Sequence, residues 1–192
     1  KSGFPFDGKV EIQILQAPCK VAEISFRIPE WSDNSSAWIN GTEIITEQKN
    51  GYCHVPRRWK SGDCLELKFV MEPVLIEAHP LVSGCRGKVA VQRGPVIYCL
   101  EKIDNPDCDI NQVFEENLEL TEEYDSELID QAVYIVGKDS GGNRLKFIPF
   151  FLWDNRETDS DNRMRVWVRK KGNFDNRTKV WNKAIDFSEW KG

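Results

Sequence analysis

The chain has 192 residues, of which 40% are hydrophobic and 30% charged, and its formal net charge at pH 7 is -5. No apolar run approaches the roughly 20 residues that a membrane-spanning helix needs, which excludes that class. The negative charge argues against a general nucleic-acid binder, because phosphate contacts need clustered Lys and Arg side chains. The length suits one large β-fold or two domains of about 100 residues each.

Alternation of apolar and polar residues dominates the first part of the chain. A period of two is typical of half-buried strands. The dipeptides Asn40-Gly41 and Asn50-Gly51 lie between such runs, and Asn-Gly is a hairpin signal. Regularly spaced strands without an amphipathic helical stretch predict an antiparallel sandwich. The alternating sets are Val10, Ile12 and Ile14; Ala22, Ile24, Phe26 and Ile28; and Leu65, Leu67, Phe69 and Met71.

A second domain is predicted to begin after the turn around Gly84 and Gly87. The fold class is therefore all-β, with two tandem antiparallel β-sandwich domains: residues 1–85 form the first, and residues 86–192 form the second together with a C-terminal tail. Gly94-Pro95 interrupts one extended run and is expected to bend or bulge it. Further strands are predicted at residues 132–136, 145–153 and 164–169.

Two segments of the second domain have less regular patterns. Residues 105–130 are acidic and weakly periodic, so they suit a long connection, an irregular strand or a short helix. Residues 181–192 contain Trp181 and Trp190 and are too apolar for a free linker. We expect this tail to pack on the body of the protein or on a partner.

Titratable residues do not form a catalytic or metal-binding pattern, so we predict neither a catalytic nor a metal-ligating residue. The acidic clusters fall in polar segments, where solvated loop charges are the ordinary interpretation. His54 adjoins Cys53 on a predicted strand, so their side chains should point to opposite faces. The six scattered cysteines include no Cys-x-x-Cys pair and favour unpaired thiols, and with them, weakly, a cytoplasmic location.

Seven tryptophans are the unusual feature of the composition. Exposed aromatic rings on β-sandwiches can stack on sugars. Trp153 leads directly into Asn155 and Arg156, which places polar hydrogen-bonding groups beside an aromatic plane. These three residues are the candidate carbohydrate contact, although an arginine that stacks on Trp153 to fix a loop is an equally good interpretation.

Six segments in order resemble one known family. The most specific is GKVAVQRGPVIYCLEKIDN, from Gly87, and FIPFFLWDNRETDSDNRMRVWVR, from Phe147, supports it. With FPFDGKVEIQIL, ISFRIPEW, AWINGTEI and GYCHVPRRWKSGDCLELKF, they are similar to the C-terminal portion of glycoside hydrolase family 127, the β-L-arabinofuranosidase family. The resemblance implies an N-terminal (α/α)6 catalytic barrel followed by two β-sandwich domains. This chain would be the sandwiches.

The resemblance also implies where the chemistry lies. In the family, a cysteine nucleophile, acidic residues and a cysteine- and glutamate-bound zinc belong to the barrel, so we carry over no site residue and expect no cofactor in this chain. The first hypothesis is a non-catalytic accessory region, whose partners are its own barrel and a second copy in a homodimer. The alternative is an autonomous carbohydrate-binding module that uses exposed aromatics.

Overall fold

The protein divides into two compact units, Lys1–Glu72 and Pro73–Gly192. The division precedes the predicted boundary at residue 85, because Pro73–Glu77 forms a strand that pairs with Lys88–Arg93 in the second unit. Both of these paired strands belong to the second unit, so the connection between them belongs to it as well. The computed structural model describes residues 1–32, 34–111, 113–114, 119–124, 132–139, 141–156, 163–170 and 179–180.

The first unit is an antiparallel sandwich of seven strands. One sheet has the order β1-β7-β3-β4, and the other has the order β2-β6-β5. Every pairing within both sheets is antiparallel, as the alternation predicts. The strands are β1 (Lys9–Gln13), β2 (Ala22–Arg27), β3 (Ser35–Ile39), β4 (Thr42–Ile44), β5 (Glu47–Lys49), β6 (Tyr52–Arg57) and β7 (Cys64–Phe69).

Alternating side chains of the two sheets build the core of the first unit. Leu65 and Leu67 of β7 are buried there with Val55 of β6, and Ile24 and Phe26 of β2 pack against them. The polar residues between them face water, which is why a period of two was visible in the sequence.

Both predicted Asn-Gly hairpins are present in the first unit. The φ angles are +51° at Asn40 and +77° at Gly41 between β3 and β4, and +53° at Asn50 and +74° at Gly51 between β5 and β6. Two consecutive positive φ angles define a turn whose twist matches that of the flanking strands. Asn and Gly tolerate this conformation better than other residues, so the local sequence was sufficient to predict it.

The second unit is a branched sheet of ten strands. Its main path is β11-β16-β9-β10-β14-β13-β12, with β15 on β10 and β8 joining β17 to β9. Two short pairings, β11 with β16 and β17 with β8, are parallel, and the other pairings of this sheet are antiparallel, as predicted. The strands are β8 (Pro73–Glu77), β9 (Lys88–Arg93), β10 (Val96–Glu101), β11 (Val113–Phe114), β12 (Thr121–Tyr124), β13 (Val133–Lys138), β14 (Arg144–Pro149), β15 (Met164–Arg165), β16 (Val168–Lys170) and β17 (Lys179–Val180).

Gly94-Pro95 forms the tight turn of a hairpin. Arg93 pairs with Val96 across it, and Gly94 has a φ of +55°. The expectation of one bent or bulged run was therefore wrong: a glycine with positive φ followed by a proline reverses the chain within two residues.

Several other predicted elements of the second unit are shorter or divided. The run predicted at residues 145–153 leaves the sheet after Pro149 and continues as a 3-10 turn, Phe150–Leu152, and the run at 164–169 is split between β15 and β16. Other 3-10 turns are Ser83–Cys85 and Lys102–Asp104. The acidic segment contributes β11 and β12, while the tail from Trp181 to Gly192 lies outside the described residues. No helix in the described ranges is long and apolar enough to cross a membrane.

Strands β10, β13 and β14 are buried on both faces. Leu100, Ile135 and Phe147 belong to one apolar cluster, whereas Cys99 and Tyr134 belong to another on the opposite face. Burial on both sides explains why β13 is a continuous apolar run without alternation. Cys99 belongs to the second cluster, and Glu101 lies two residues further along β10, so both side chains point to the same face. The candidate site described below lies on that face.

The turn between β13 and β14 is organised by Asp139. Its Oδ1 accepts hydrogen bonds from the backbone N–H groups of Gly141 and Asn143, both at 2.8 Å, and its Oδ2 accepts one from Nδ2 of Asn143 at 2.9 Å. Burial alone would raise the pKa of Asp139, but the hydrogen bonds from Asn143, Gly141 and Gly142 outweigh it and hold the pKa below its usual value.

Replacement of Asp139 by asparagine is expected to destabilise the second unit by about 1–3 kcal/mol at pH 7, because the amide cannot accept all these bonds. The contribution of the carboxylate is fully present above its unfolded pKa of about 4 and is lost as the pH falls through the lower folded pKa. Urea unfolding of wild type and variant from pH 7 to pH 3 should therefore show a difference that shrinks on acidification. A difference that does not change with pH would contradict this role.

Candidate functional site

The site predicted from the sequence lies on the loop that follows β14, which we call the aromatic loop (residues 150–155). Phe150, Phe151 and Trp153 are 45%, 48% and 40% exposed. The 3-10 turn ends when the N–H of Trp153 donates to the carbonyl of Phe150 at 3.1 Å, and Asp154 follows with a φ of +59°. Three large aromatic side chains are thus held at the surface by a short, tightly turned segment.

Phe150 and Trp153 stack on each other within this loop. Their ring centroids are 6.3 Å apart, and the ring planes differ by 19°. Side chains three residues apart are eclipsed in a 3-10 turn, which brings these two rings to the same side. The pair presents two nearly parallel aromatic surfaces at one place.

Arg156 leaves the aromatic loop and enters a group of buried charges, which we call the ion cluster (Glu101, Asp104, Lys146 and Arg156). Its Nη1 donates to Oδ1 of Asp104 at 2.9 Å, and its Nη2 donates to Asp104 and to Glu101. The carboxylates are almost inaccessible, with 0% of the Glu101 side chain and 6% of the Asp104 side chain exposed. Nζ of Lys146 lies 3.6 Å from Oδ1 of Asp104 and 4.3 Å from the ring centre of Tyr134. Two buried anions are therefore matched by two cations.

The ion cluster also fixes the backbone of the neighbouring segments. Oε1 of Glu101 accepts the N–H of Asp154 at 3.0 Å, which ties the residue with positive φ to β10. Nδ2 of the buried Asn105 donates to the carbonyls of Glu101 and Lys146 at 2.8 and 3.0 Å, and its Oδ1 accepts the N–H of Lys146 at 2.8 Å. Strands β10 and β14 and the aromatic loop are thereby joined at one point.

Electrostatics keep Arg156 and the neighbouring Cys99 from transferring protons near neutral pH. The hydrogen bonds to Asp104 raise the pKa of Arg156 above its already high value. Burial acts in the opposite direction, and the hydrogen bond to Glu101 raises the pKa further. The guanidinium therefore stays charged. Burial, followed by the charges of Glu101 and Asp104, raises the pKa of the nearby Cys99 thiol to about 12. A thiol of this kind is protonated at neutral pH and is a poor nucleophile.

The three residues predicted as a carbohydrate contact have different environments. Trp153 keeps an exposed ring, and Asn155 is exposed while its Nδ2 donates to the carbonyl of Phe151 at 3.3 Å. Arg156 instead points into the ion cluster. Contact of these three residues with a carbohydrate stays a prediction. The sequence analysis did not single out Phe150 and Phe151. A signal was available, because three of the four residues at positions 150–153, at the end of an apolar run, are aromatic.

A second cluster of functional groups lies on the outer face of the first unit. Nδ1 of His54 is 3.0 Å from Oγ of Ser25 and 2.9 Å from Oε1 of Glu23, and the Ser25 hydroxyl also donates to Glu23 at 2.7 Å. Hydrogen bonds from His54 and then from Ser25 lower the pKa of Glu23. Cys53 is buried while His54 is half-buried, which confirms that the two point to opposite faces.

The geometry of this trio differs from that of a nucleophilic triad. In a triad the serine and the carboxylate contact different nitrogens of the imidazole, so that the ring can relay a proton. Here both contact Nδ1. The cluster therefore stabilises the cross-strand pair of Ser25 and His54 in β2 and β6.

Two consecutive β-rich units, with an aromatic surface loop anchored by buried charges, define the chain as a pair of all-β modules. Residues 1–71 match the model of the middle domain of the family 127 beta-L-arabinofuranosidases. Residues 73–169 match the model of the glycoside hydrolase family 127 C-terminal domain. The chain therefore belongs to glycoside hydrolase family 127.

Similar proteins are known from sequence and from structure. The chain is 28% identical over 202 residues to the non-reducing end beta-L-arabinofuranosidase of Bifidobacterium longum subsp. longum, a match that covers 88% of this chain. The structure of a family 127 beta-L-arabinofuranosidase from Geobacillus stearothermophilus superposes with a TM-score of 0.77 at 31% identity over 89% of this chain. A solved glycoside hydrolase gives a TM-score of 0.78 at 29% identity over 88%.

The matched relatives are much longer than this chain. It covers 30% of the Bifidobacterium protein, 30% of the Geobacillus chain and 31% of the third protein. The similarity therefore concerns one region of a larger multidomain enzyme.

Proposed function

We propose that this chain is the non-catalytic accessory region of a family 127 glycoside hydrolase of the β-L-arabinofuranosidase type, and that it supports a catalytic barrel carried elsewhere in the full-length protein. The observation that carries the proposal is the match to the middle and C-terminal domain models together with the coverage of only 30% of the relatives.

The environment of the acidic pair at the candidate site supports the same proposal. Glycoside hydrolysis needs two carboxyl groups that face each other across a cleft, about 5–10 Å apart. Glu101 and Asp104 are the acidic pair at the candidate site, and both are turned toward the guanidinium of Arg156. Their charges are neutralised within the protein, so they hold a loop in place and do not face a substrate.

Zinc, which the family resemblance implies for the barrel, does not fit the described part of this chain. No group of three His, Cys, Asp or Glu side chains within the described residues could hold a metal ion. All six cysteines are free, and three of them, Cys53, Cys99 and Cys108, are buried.

The proposal is tested by comparing this chain with the full-length protein in an assay for free arabinose released from β-L-arabinofuranosides. We expect release by the full-length protein and none above background by residues 1–192. Hydrolysis by residues 1–192 alone would show that this region has a catalytic site and would overturn the accessory role.

A second candidate function, carbohydrate binding by this region itself, is favoured by the exposure of the Trp153 ring. Calorimetric titration of residues 1–192 with L-arabinose-containing oligosaccharides tests it, with a Trp153→Ala variant as the matched control. Saturable binding that is lost in the variant would establish a binding module. Heat signals no larger than those of dilution would remove this alternative.

A further inference from the structure

The two Asn-Gly turns of the first unit have the same backbone conformation but different side-chain contacts. Asn40 and Asn50 have φ angles of +51° and +53°, and the glycines that follow them have φ angles of +77° and +74°. Both asparagines are exposed to solvent. Asparagine is a thermolabile residue type, and glycine after it leaves the backbone nitrogen open to close approach by the side chain. The two turns therefore form a matched pair for the chemistry of their amides.

The side chain of Asn40 is held at both ends of its amide group. Its Nδ2 donates to Oδ1 of Asp63 at 2.9 Å, and its Oδ1 accepts the N–H of Cys64 at 2.8 Å. Its backbone N–H donates to the carbonyl of Cys64 at 2.9 Å. These bonds tie the turn between β3 and β4 to the start of β7, so the amide cannot rotate toward the nitrogen of Gly41 until they break.

The side chain of Asn50 is free of such contacts. Within the described part of the chain it makes no hydrogen bond, and the N–H of Gly51 donates to no carbonyl there. The N–H of Ile28 donates to the carbonyl of Gly51 at 2.9 Å, which fixes the turn but leaves the Asn50 amide able to rotate. Strand β5, which leads into the turn, is an exposed edge strand, and segments of this kind open locally at low cost.

We propose that Asn50 is a site of spontaneous deamidation that yields aspartate and isoaspartate. The backbone nitrogen of Gly51 bonds to Cγ of Asn50, the bond from Cγ to Nδ2 breaks, and the amide group leaves as ammonia with the proton of the Gly51 N–H. A water molecule then opens the cyclic imide. Cleavage between the nitrogen and Cγ gives aspartate, whereas cleavage between the nitrogen and the main-chain carbonyl carbon gives isoaspartate. The inference is independent of the proposed function.

The isoaspartate product is expected to loosen the hairpin of β5 and β6. Its main chain passes through the side-chain carbons, which adds a carbon atom to the tight turn. The length of a hairpin loop sets the register of its strands, and among the described strands β5 pairs with β6 alone. Backbone amides of β5 should therefore exchange hydrogen faster in the isoaspartate form than in the unmodified chain. Unchanged exchange would contradict this consequence.

Peptide mapping by mass spectrometry, after incubation of the folded chain at mildly alkaline pH, tests the site itself. We expect Asn50 to convert at least about tenfold faster than Asn40, because two side-chain hydrogen bonds must first break at Asn40. In the urea-unfolded chain the two residues should convert at similar rates, since both precede glycine. Equal rates in the folded chain, or faster conversion of Asn40, would overturn the inference. A difference that persists in urea would overturn it as well, because the turn contacts would then not be its cause.

Matched variants assign the product to one turn. Ion-exchange chromatography of the aged wild-type chain should show a more acidic form, because deamidation converts a neutral amide into a carboxylate. This form should be absent from Asn50→Gly and present in Asn40→Gly, and Gly-Gly is a dipeptide that suits this kind of turn. Methyl transfer to the aged chain by an isoaspartyl methyltransferase should likewise be lost in Asn50→Gly. An acidic, methyl-accepting form that persists in Asn50→Gly would overturn the assignment.

The comparison within the wild-type chain decides the question even where a variant fails to fold.

Discussion

Replacement of Arg156 by alanine is expected to destabilise the second unit by about 3–5 kcal/mol, the cost typical of removing one partner from a buried ion pair. The variant would leave the inaccessible carboxylates of Glu101 and Asp104 without their shared guanidinium. Lys146 offers only a partial replacement, since its Nζ is 3.6 Å from one oxygen of Asp104. Urea unfolding followed by circular dichroism would measure the loss.

The matched control for Arg156 is Arg144→Ala, which removes an arginine of the same unit from its ion pair with Glu123. That pair is at the surface, with side-chain exposures of 52% and 48%, and exposed pairs contribute about 0–1 kcal/mol. Equal losses for the two variants would show that the ion cluster stabilises no more than a surface pair does. The role of the ion cluster in holding the aromatic loop in place would then have to be abandoned.

Replacement of Phe147 by alanine is expected to cost about 3–5 kcal/mol, because it removes a buried ring and leaves a cavity. Phe147 is 0% exposed. In the sheet it pairs with Leu100 of β10 and with Ile135 of β13, so the surrounding backbone is held on both sides and cannot close over the space. Thermal or urea denaturation of residues 1–192 would measure the effect.

Phe151→Ala provides the comparison within the same strand-loop segment. Its ring is nearly half exposed, so the substitution is expected to change the free energy of unfolding by less than about 1 kcal/mol. A loss at Phe151 as large as that at Phe147 would mean that the aromatic loop is part of the core.

The strands of the first unit were predictable because each has one wet and one dry face. Ile24 and Phe26 alternate with polar residues, and Asn40-Gly41 permits two consecutive positive φ angles that few other dipeptides adopt. The strands of the second unit were harder to predict from the sequence. Strands β13 and β14 are buried on both faces, so apolar periodicity did not indicate which side of each strand faces the core. The Gly94-Pro95 hairpin was predicted as a bend within one strand.

The amino-acid sequence by itself determined the all-β class, the local turns and the family resemblance, because propensity, alternation and short motifs act between residues near each other in the chain. Only the tertiary structure decided the role of Arg156. Its partners Glu101 and Asp104 are more than fifty residues away, and no local pattern could show whether the guanidinium faces a ligand or a buried carboxylate. The fold brings the two carboxylates into a region that is almost inaccessible to water, where each must be paired with an opposite charge.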